Sequence, residues 1–220
     1  MKKLAMMAAV AVLAASCNME KAEEATTGEA QEVEAVVEAT NVALDSGSVV
    51  AWRGFKSYVA SEHVGTIGVQ EGTFAVLEGK VVGGSITIDM NAIVNTDLED
   101  EGKNAYLVGH LKSQDFFFVD SFATSVFEIV EVKDAAAEGT NSVVVGNLTL
   151  RGVTNSIEFP ANIAVSEGSV SFDAPTFSID RTKWGVKFHD SEDATIAESL
   201  KEDLIDHSIE LTISVTATQS

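Results

Sequence analysis

NSVVVGNLTLRGVTNSIEF, Asn141 to Phe159, sets two alternating runs on either side of an Arg-Gly break. Val144, Gly146, Leu148 and Leu150 share one parity, as one face of a β-strand requires. After Arg151-Gly152 the parity changes, and Ile157 and Phe159 carry the apolar face. A one-residue phase change at a glycine predicts a bulge or sharp bend, because glycine reaches backbone angles that other residues resist. The expectation is a strand running from Asn141 to Val165, bent at Gly152, in the middle of a long antiparallel sheet.

Outward from there the pattern repeats. Strands are expected at Ser48–Ser57, Gly72–Leu77, Lys80–Met90, Thr124–Val132, Gly168–Asp180, Trp184–Phe188 and Ile205–Ala217. Ile86, Ile88 and Met90 alternate with Ser85, Thr87 and Asp89, as a half-buried strand does. Gly83-Gly84 predicts a kink or a close backbone approach. In the last strand Ile205, His207, Ile209, Leu211, Ile213, Val215 and Ala217 share one face, and Asp206, Ser208, Glu210 and Thr212 the other. The one helical candidate is Asn95–Ser113. There Tyr106, Leu107, His110 and Leu111 fall at helical spacing, Thr96 or Asp97 can cap, and Phe116, Phe117 and Phe118 follow. Many alternating strands with little helix and no repeat point to an antiparallel barrel or sandwich. The barrel is favoured because closure leaves no long edge exposed.

The start of the chain reads differently. Lys2 and Lys3 precede twelve uncharged residues, Leu4 to Ala15, ending in LAASC. That run is shorter than the roughly 20 residues a membrane span needs, and it reads as a secretory signal over residues 1–16. Small residues directly before Cys17, the single cysteine, resemble a bacterial lipoprotein signal, although Ala14 stands where Leu is usual. Eight acids and one base lie between Asn18 and Asp45, with few large apolar residues. Residues 17–40 are therefore expected to be a lipidated cysteine and a flexible acidic linker, and 41–219 a barrel domain.

The 220 residues carry a formal charge of −20, which argues against nucleic acid as a partner. One cysteine excludes an intrachain disulfide. No P-loop, G-x-S-x-G, H-E-x-x-H or G-x-G-x-x-G occurs. Asp97, Glu99, Glu101 and Gly102 match the start of a calcium loop, but Val108 stands where a bidentate Glu belongs. His63, His110, His189 and His207 are scattered; His63 and His110 could meet in space as a metal pair, for which two histidines without a third ligand are weak evidence. Eleven Phe and two Trp remain as apolar volume, for a filled core or for a lumen holding one elongated apolar ligand.

Six stretches then carry a resemblance: WRGFK at Trp52–Lys56, HVG at His63–Gly65, GGSITIDM at Gly83–Met90, HLKSQDFFFVD at His110–Asp120, VVGNLTLRGVTNSIEF at Val144–Phe159 and FSIDRTKWGV at Phe177–Val186. In order and spacing the chain resembles the YceI-like family of bacterial lipid-binding proteins over roughly Asn41 to Ala217. Phe118 stands where that family usually has Asp, Ala123 where Pro is typical, and the segment after Trp184 is unusually acidic.

The resemblance implies a lipocalin-like antiparallel β-barrel of about eight strands with one short helix. It implies a polyisoprenoid or quinone-like lipid in the lumen, no catalytic residues and no cofactor, and a family habit of pairing barrels as homodimers. Lys56, His63, Arg151 and Arg181 are expected as fold and rim elements. The expected lumen wall is Ile86, Ile88, Met90, Phe127, Leu148, Leu150, Phe172, Phe177, Ile209, Leu211 and Ile213, with Phe116 and Phe117 closing one end. The function expected is non-catalytic lipid carriage at the cell envelope by a lipoprotein anchored through Cys17, facing the periplasm or the cell surface. The alternatives are a stress or scaffold protein with a filled core, and an enzyme using His63 and His110 at a barrel end.

Overall fold

The structure, a computed structural model, describes residues 22–34, 36, 38–135, 139–190 and 198–219. The expected signal at Met1–Ser16, Cys17, and the acidic residues Glu192 and Asp193 lie outside them.

Among the described residues, ten strands and one α-helix form a single closed antiparallel barrel. The strands are β1 (Thr26–Glu29), β2 (Thr40–Leu44), β3 (Val49–Lys56), β4 (Glu62–Leu77), β5 (Lys80–Asn95), β6 (Thr124–Asp134), β7 (Ser142–Leu150), β8 (Val153–Ser166), β9 (Ser169–Asp180) and β10 (Ile205–Thr218); the helix is α1 (Glu101–Lys112). Neighbours in sequence pair from β3 through to β10, and β10 returns to pair with β3, with Ile213 opposite Val50. β2 also pairs with β4 and β10, so β2 and β3 share one place and the barrel has eight.

The opening stretch differs from its sequence reading. Arg151 and Gly152 form no bend within a strand; they make a two-residue hairpin turn, with Leu150 paired to Val153. Both turn residues have positive φ, 51° and 74°, the geometry whose twist matches that of the flanking strands. The parity change is therefore the reversal of chain direction. Glu78-Gly79 repeats the device between β4 and β5. β4 runs on ten residues before the expected start at Gly72, because Gly65, Gly68 and Gly72 interrupt its apolar alternation. A Cβ on Gly65 would lie 1.9 Å from the Val94 carbonyl oxygen and 2.6 Å from the Trp52 ring, so the glycine makes room for the indole. A Cβ on Gly84, whose φ is 153°, would lie 2.5 Å from the Thr73 carbonyl oxygen, the close approach that the Gly83-Gly84 reading anticipated.

Two further expectations change. Trp184–Phe188 is not a strand: Asp180 caps a short 3₁₀ turn, Arg181–Trp184, through the Thr182 amide at 2.9 Å, and Gly185 ends it. The linker expected over 17–40 is also partly built into the barrel. β8 and β9 pair only from Asn162–Ser166 to Ser169–Asp173 and then part, next to Pro175, which has no N–H to give a ladder. Into this gap the N-terminal segment inserts as a strap. β1 pairs antiparallel with β8, while the Ala25 amide donates to the Ser178 carbonyl at 2.8 Å and the Ser178 amide to the Glu23 carbonyl at 2.9 Å. Asn147 clasps the strap's far end, accepting from the Gln31 amide at 2.8 Å and donating to the Gln31 carbonyl at 2.7 Å.

The barrel's two halves are filled differently. In the half nearest the β4–β5 and β8–β9 turns, Phe159 stacks on Phe177 with ring centres 4.3 Å apart, and Phe74 on Phe172 at 5.5 Å. Phe127 leans on Phe159 at 5.6 Å, its ring lodged over Gly146, where a Cβ would lie 2.4 Å away. These five rings, all buried, form a solid plug.

Candidate functional site

Above the plug the lumen is open. A cavity of about 270 Å³ reaches the end of the barrel that carries α1 and the β7–β8 turn. Alternation along the strands supplies its wall: Val50 and Trp52 from β3, Ile88 and Met90 from β5, Leu148 and Leu150 from β7, Ile179 from β9, and Ile209 and Leu211 from β10. Ile67 and Ile93 join them.

The lid comes from the segment between β5 and β6. Asp100, rather than the expected Thr96 or Asp97, caps α1 by accepting from the Lys103 amide at 2.8 Å. Leu107, His110 and Leu111 face the cavity, while Tyr106 points to solvent, 76% exposed. The chain then doubles back. Phe117 donates its amide to the Leu111 carbonyl at 3.1 Å, and both Phe116 and Phe117 turn inward over the cavity. Arg151 staples this lid to the barrel, its guanidinium donating to the carbonyls of Phe116 (2.7 Å), Gln114 (2.8 Å) and Gly185 (3.0 Å). Phe188 packs edge-on against His110, with ring centres 4.8 Å apart.

Polar groups ring the mouth. Lys56 reaches Asp203 at 3.1 Å, His63 Nδ1 meets Asp97 at 2.9 Å, and His110 Nε2 meets Asp115 at 3.2 Å. Partial burial pulls the Asp97 carboxyl upward. Hydrogen bonds from His63, the Val64 amide and Asn95 outweigh it and hold the group below its ordinary value. Burial lowers the Arg181 guanidinium, opposed by the charges of Asp190, Asp180 and Asp206. Arg181 donates to the carbonyls of Asp206, Val186 and Ile205, while Trp184 Nε1 donates to the Leu148 carbonyl at 2.9 Å. The buried Trp52 Nε1 finds no hydrogen-bond partner among the described residues. No group of three His, Cys, Asp or Glu side chains among them is arranged for a metal ion.

Of the expected lumen residues, Ile88, Met90, Phe116, Phe117, Leu148, Leu150, Ile209 and Leu211 border the cavity. Ile86, Phe127, Phe172, Phe177 and Ile213 do not. They lie deeper, where the rings cross the barrel axis and fill it. Trp52 and Ile179, missed as wall residues, share parity with Val50 and Phe177, so alternation could have found them. Leu107 and Leu111 were seen as a helical face but not as cavity wall. Lys56, His63 and Arg181 line the mouth, and so does His110. On the polar side of β10, Asp206, Ser208 and Glu210 are buried, and Asp206 and Ser208 also border the cavity. Glu210 accepts from Arg53 at 2.7 Å and from the Ala22 amide at 3.0 Å.

A family model described as a YceI-like domain matches residues 19–217, which includes the strap. Among solved structures, BcnA of Burkholderia cenocepacia superposes with a TM-score of 0.54 at 18% identity, covering 78% of this chain and 96% of its own. A polyisoprenoid binding domain from Saccharophagus degradans superposes with a TM-score of 0.55 at 14% identity, covering 83% and 100%. Both share the fold. A UPF0312 protein of Staphylococcus aureus (strain bovine RF122 / ET3-1) is 38% identical over 93 residues, 40% of this chain and 50% of that protein. One of Pseudomonas aeruginosa (strain LESB58) is 37% identical over 78 residues, 36% of each. The chain thus matches half or less of the length of these curated relatives.

Proposed function

The chain belongs to the YceI-like family, and we propose that it is a non-catalytic carrier that holds the apolar tail of a polyisoprenoid or quinone-like lipid in its barrel. The cavity carries this reading: about 270 Å³, walled mainly by aliphatic and aromatic side chains and rimmed by hydrogen-bonded polar pairs. An isoprenoid tail offers no hydrogen bonds, so its affinity comes from apolar burial, about 25 cal/mol per Å² before association costs. The rim suits the polar head of the same molecule, because a charged or hydrogen-bonding group there keeps contact with water. The Saccharophagus domain, described as polyisoprenoid-binding, lends support through the shared fold. In this reading lipidated Cys17 holds the barrel at the cell envelope, and the bound lipid is cargo.

Native mass spectrometry of the full chain purified from its own envelope tests it. An adduct of isoprenoid mass that solvent extraction removes is expected. A clean apo mass, with no uptake of added polyprenyl lipid or quinone, sinks the proposal.

One observation favours a second reading, chemistry on a small lipid at the mouth. His63 and His110 border the same cavity, and each imidazole is held by an aspartate. A turnover lost in His63→Ala and His110→Ala, with lipid uptake retained, would move the weight to it.

A further inference from the structure

We infer that this barrel selects its lipid by tail length, accepting a short prenyl or acyl chain and rejecting a long polyprenyl one, with Phe127, Phe159 and Phe177 as the stop. The inference rests on the carrier reading above and narrows its ligand class.

Three observations combine. First, the cavity ends at the plug. Leu148, Ile179 and Leu211 border it, whereas Phe127, Phe159 and Phe177 lie buried behind them and do not line it. Second, the plug is close-packed and backed by main chain. Phe159 and Phe177 are parallel within 3° at 4.3 Å, and the Phe127 ring occupies the volume that a side chain at position 146 would take. A ring held in this way does not yield to a methylene chain without losing those contacts. Third, the recess of about 250 Å³ at the far end of the barrel, between the β4–β5 and β8–β9 turns, is separate. None of the five plug rings lines either space, and Phe74 stacked on Phe172 lies with them in the barrier.

Dimensions set the limit. The cavity wall on β3 runs from Val50 to Lys56. Strand rise and barrel tilt make that about 15 Å of depth, room for about three isoprene units in extended form. The volume falls just below the usual range of small-molecule pockets, roughly 300 to 1,000 Å³, and well short of what a tail of about eight units requires.

The test is a chain-length series. Quinones bearing prenyl tails of about two, three, four and eight units are titrated into the delipidated full chain, with binding read by quenching of tryptophan fluorescence. Affinity should peak at the short tails, and the longest should bind at least about tenfold more weakly. Affinity that rises steadily to the longest tail overturns the length limit and leaves the carrier reading standing. Absence of binding across the whole series overturns both. Phe127→Ala should move the optimum to longer tails. Where that variant folds poorly, Phe177→Leu, which removes the stacked ring but keeps an apolar side chain, should shift it in the same direction. An unmoved optimum in a folded variant removes these rings as the stop.

Discussion

Single side chains at the mouth do more than close it. Trp184 is fully buried, and its indole N–H satisfies the Leu148 carbonyl at 2.9 Å, so a cavity-wall strand and the mouth turn are fixed together. Trp184→Phe removes that bond and should cost about 0.5–1.5 kcal/mol, measured by guanidinium titration; an unchanged midpoint would show the bond to be dispensable. Asp97 sets a pH dependence. Its carboxyl is held below its ordinary value, so the folded state binds that proton less tightly than the unfolded chain. Its stabilising contribution is complete above the unfolded value, about 4, and is lost as pH falls through the lower folded value. Asp97→Asn should lower stability at neutral pH and flatten the acid limb below about pH 4, followed by tryptophan fluorescence. Coincident acid limbs would rule Asp97 out as the source. At this scale much of the site was legible. Parity places Ile88, Met90, Leu148 and Leu150 on the inside, because a strand offers only two faces. How deep each residue sits was not legible, since the crossing of Phe127 over Gly146 depends on a neighbouring strand.

Among the elements, the strap matters most. Residues 23–29 supply the edge that β8 and β9 lack, and a ladder left open there would expose unpaired amides and carbonyls. A chain truncated through Glu34 should be less stable than one truncated through Lys21, by about 2–4 kcal/mol from the lost ladder bonds and the burial of Ala25. Unfolding curves of the two forms measure it, and overlapping curves would show the barrel closed without the strap. The sequence conceals this element because Thr26–Glu29 is four residues long and polar. Its fit comes from main-chain hydrogen bonds, which leave no periodic trace. The hairpin at Arg151-Gly152 was half legible: the phase change marked the place, and only the pairing of Leu150 with Val153 shows a turn rather than a bend. The lid helix was legible from Leu107 and Leu111, but its start was placed too early, because Asp97 is engaged by His63 instead of capping.

At the level of the whole molecule, closure of the barrel was legible because a sheet of many alternating strands with little helix leaves no long edge exposed only when it closes. The plug was not, since eleven phenylalanines serve a packed core and an open lumen equally well until their depth is known. The chain as a whole carries a formal charge of −20 and is self-repelling. Raising the ionic strength from about 10 to 150 mM should screen it and lift the melting temperature by about 2–4 °C, read by differential scanning calorimetry; a flat response would mean that the charges are already balanced locally. The seam between β3 and β10 joins positions as distant as Arg53 and Glu210, 157 apart in the chain. A ribosome adding about 5–20 residues per second leaves β3 waiting on the order of ten seconds or more for its partner. During that interval each growing chain displays an open sheet edge to every other copy. The acidity that strains the finished barrel then keeps nascent copies apart, so the cost in stability is offset by a safer passage through synthesis.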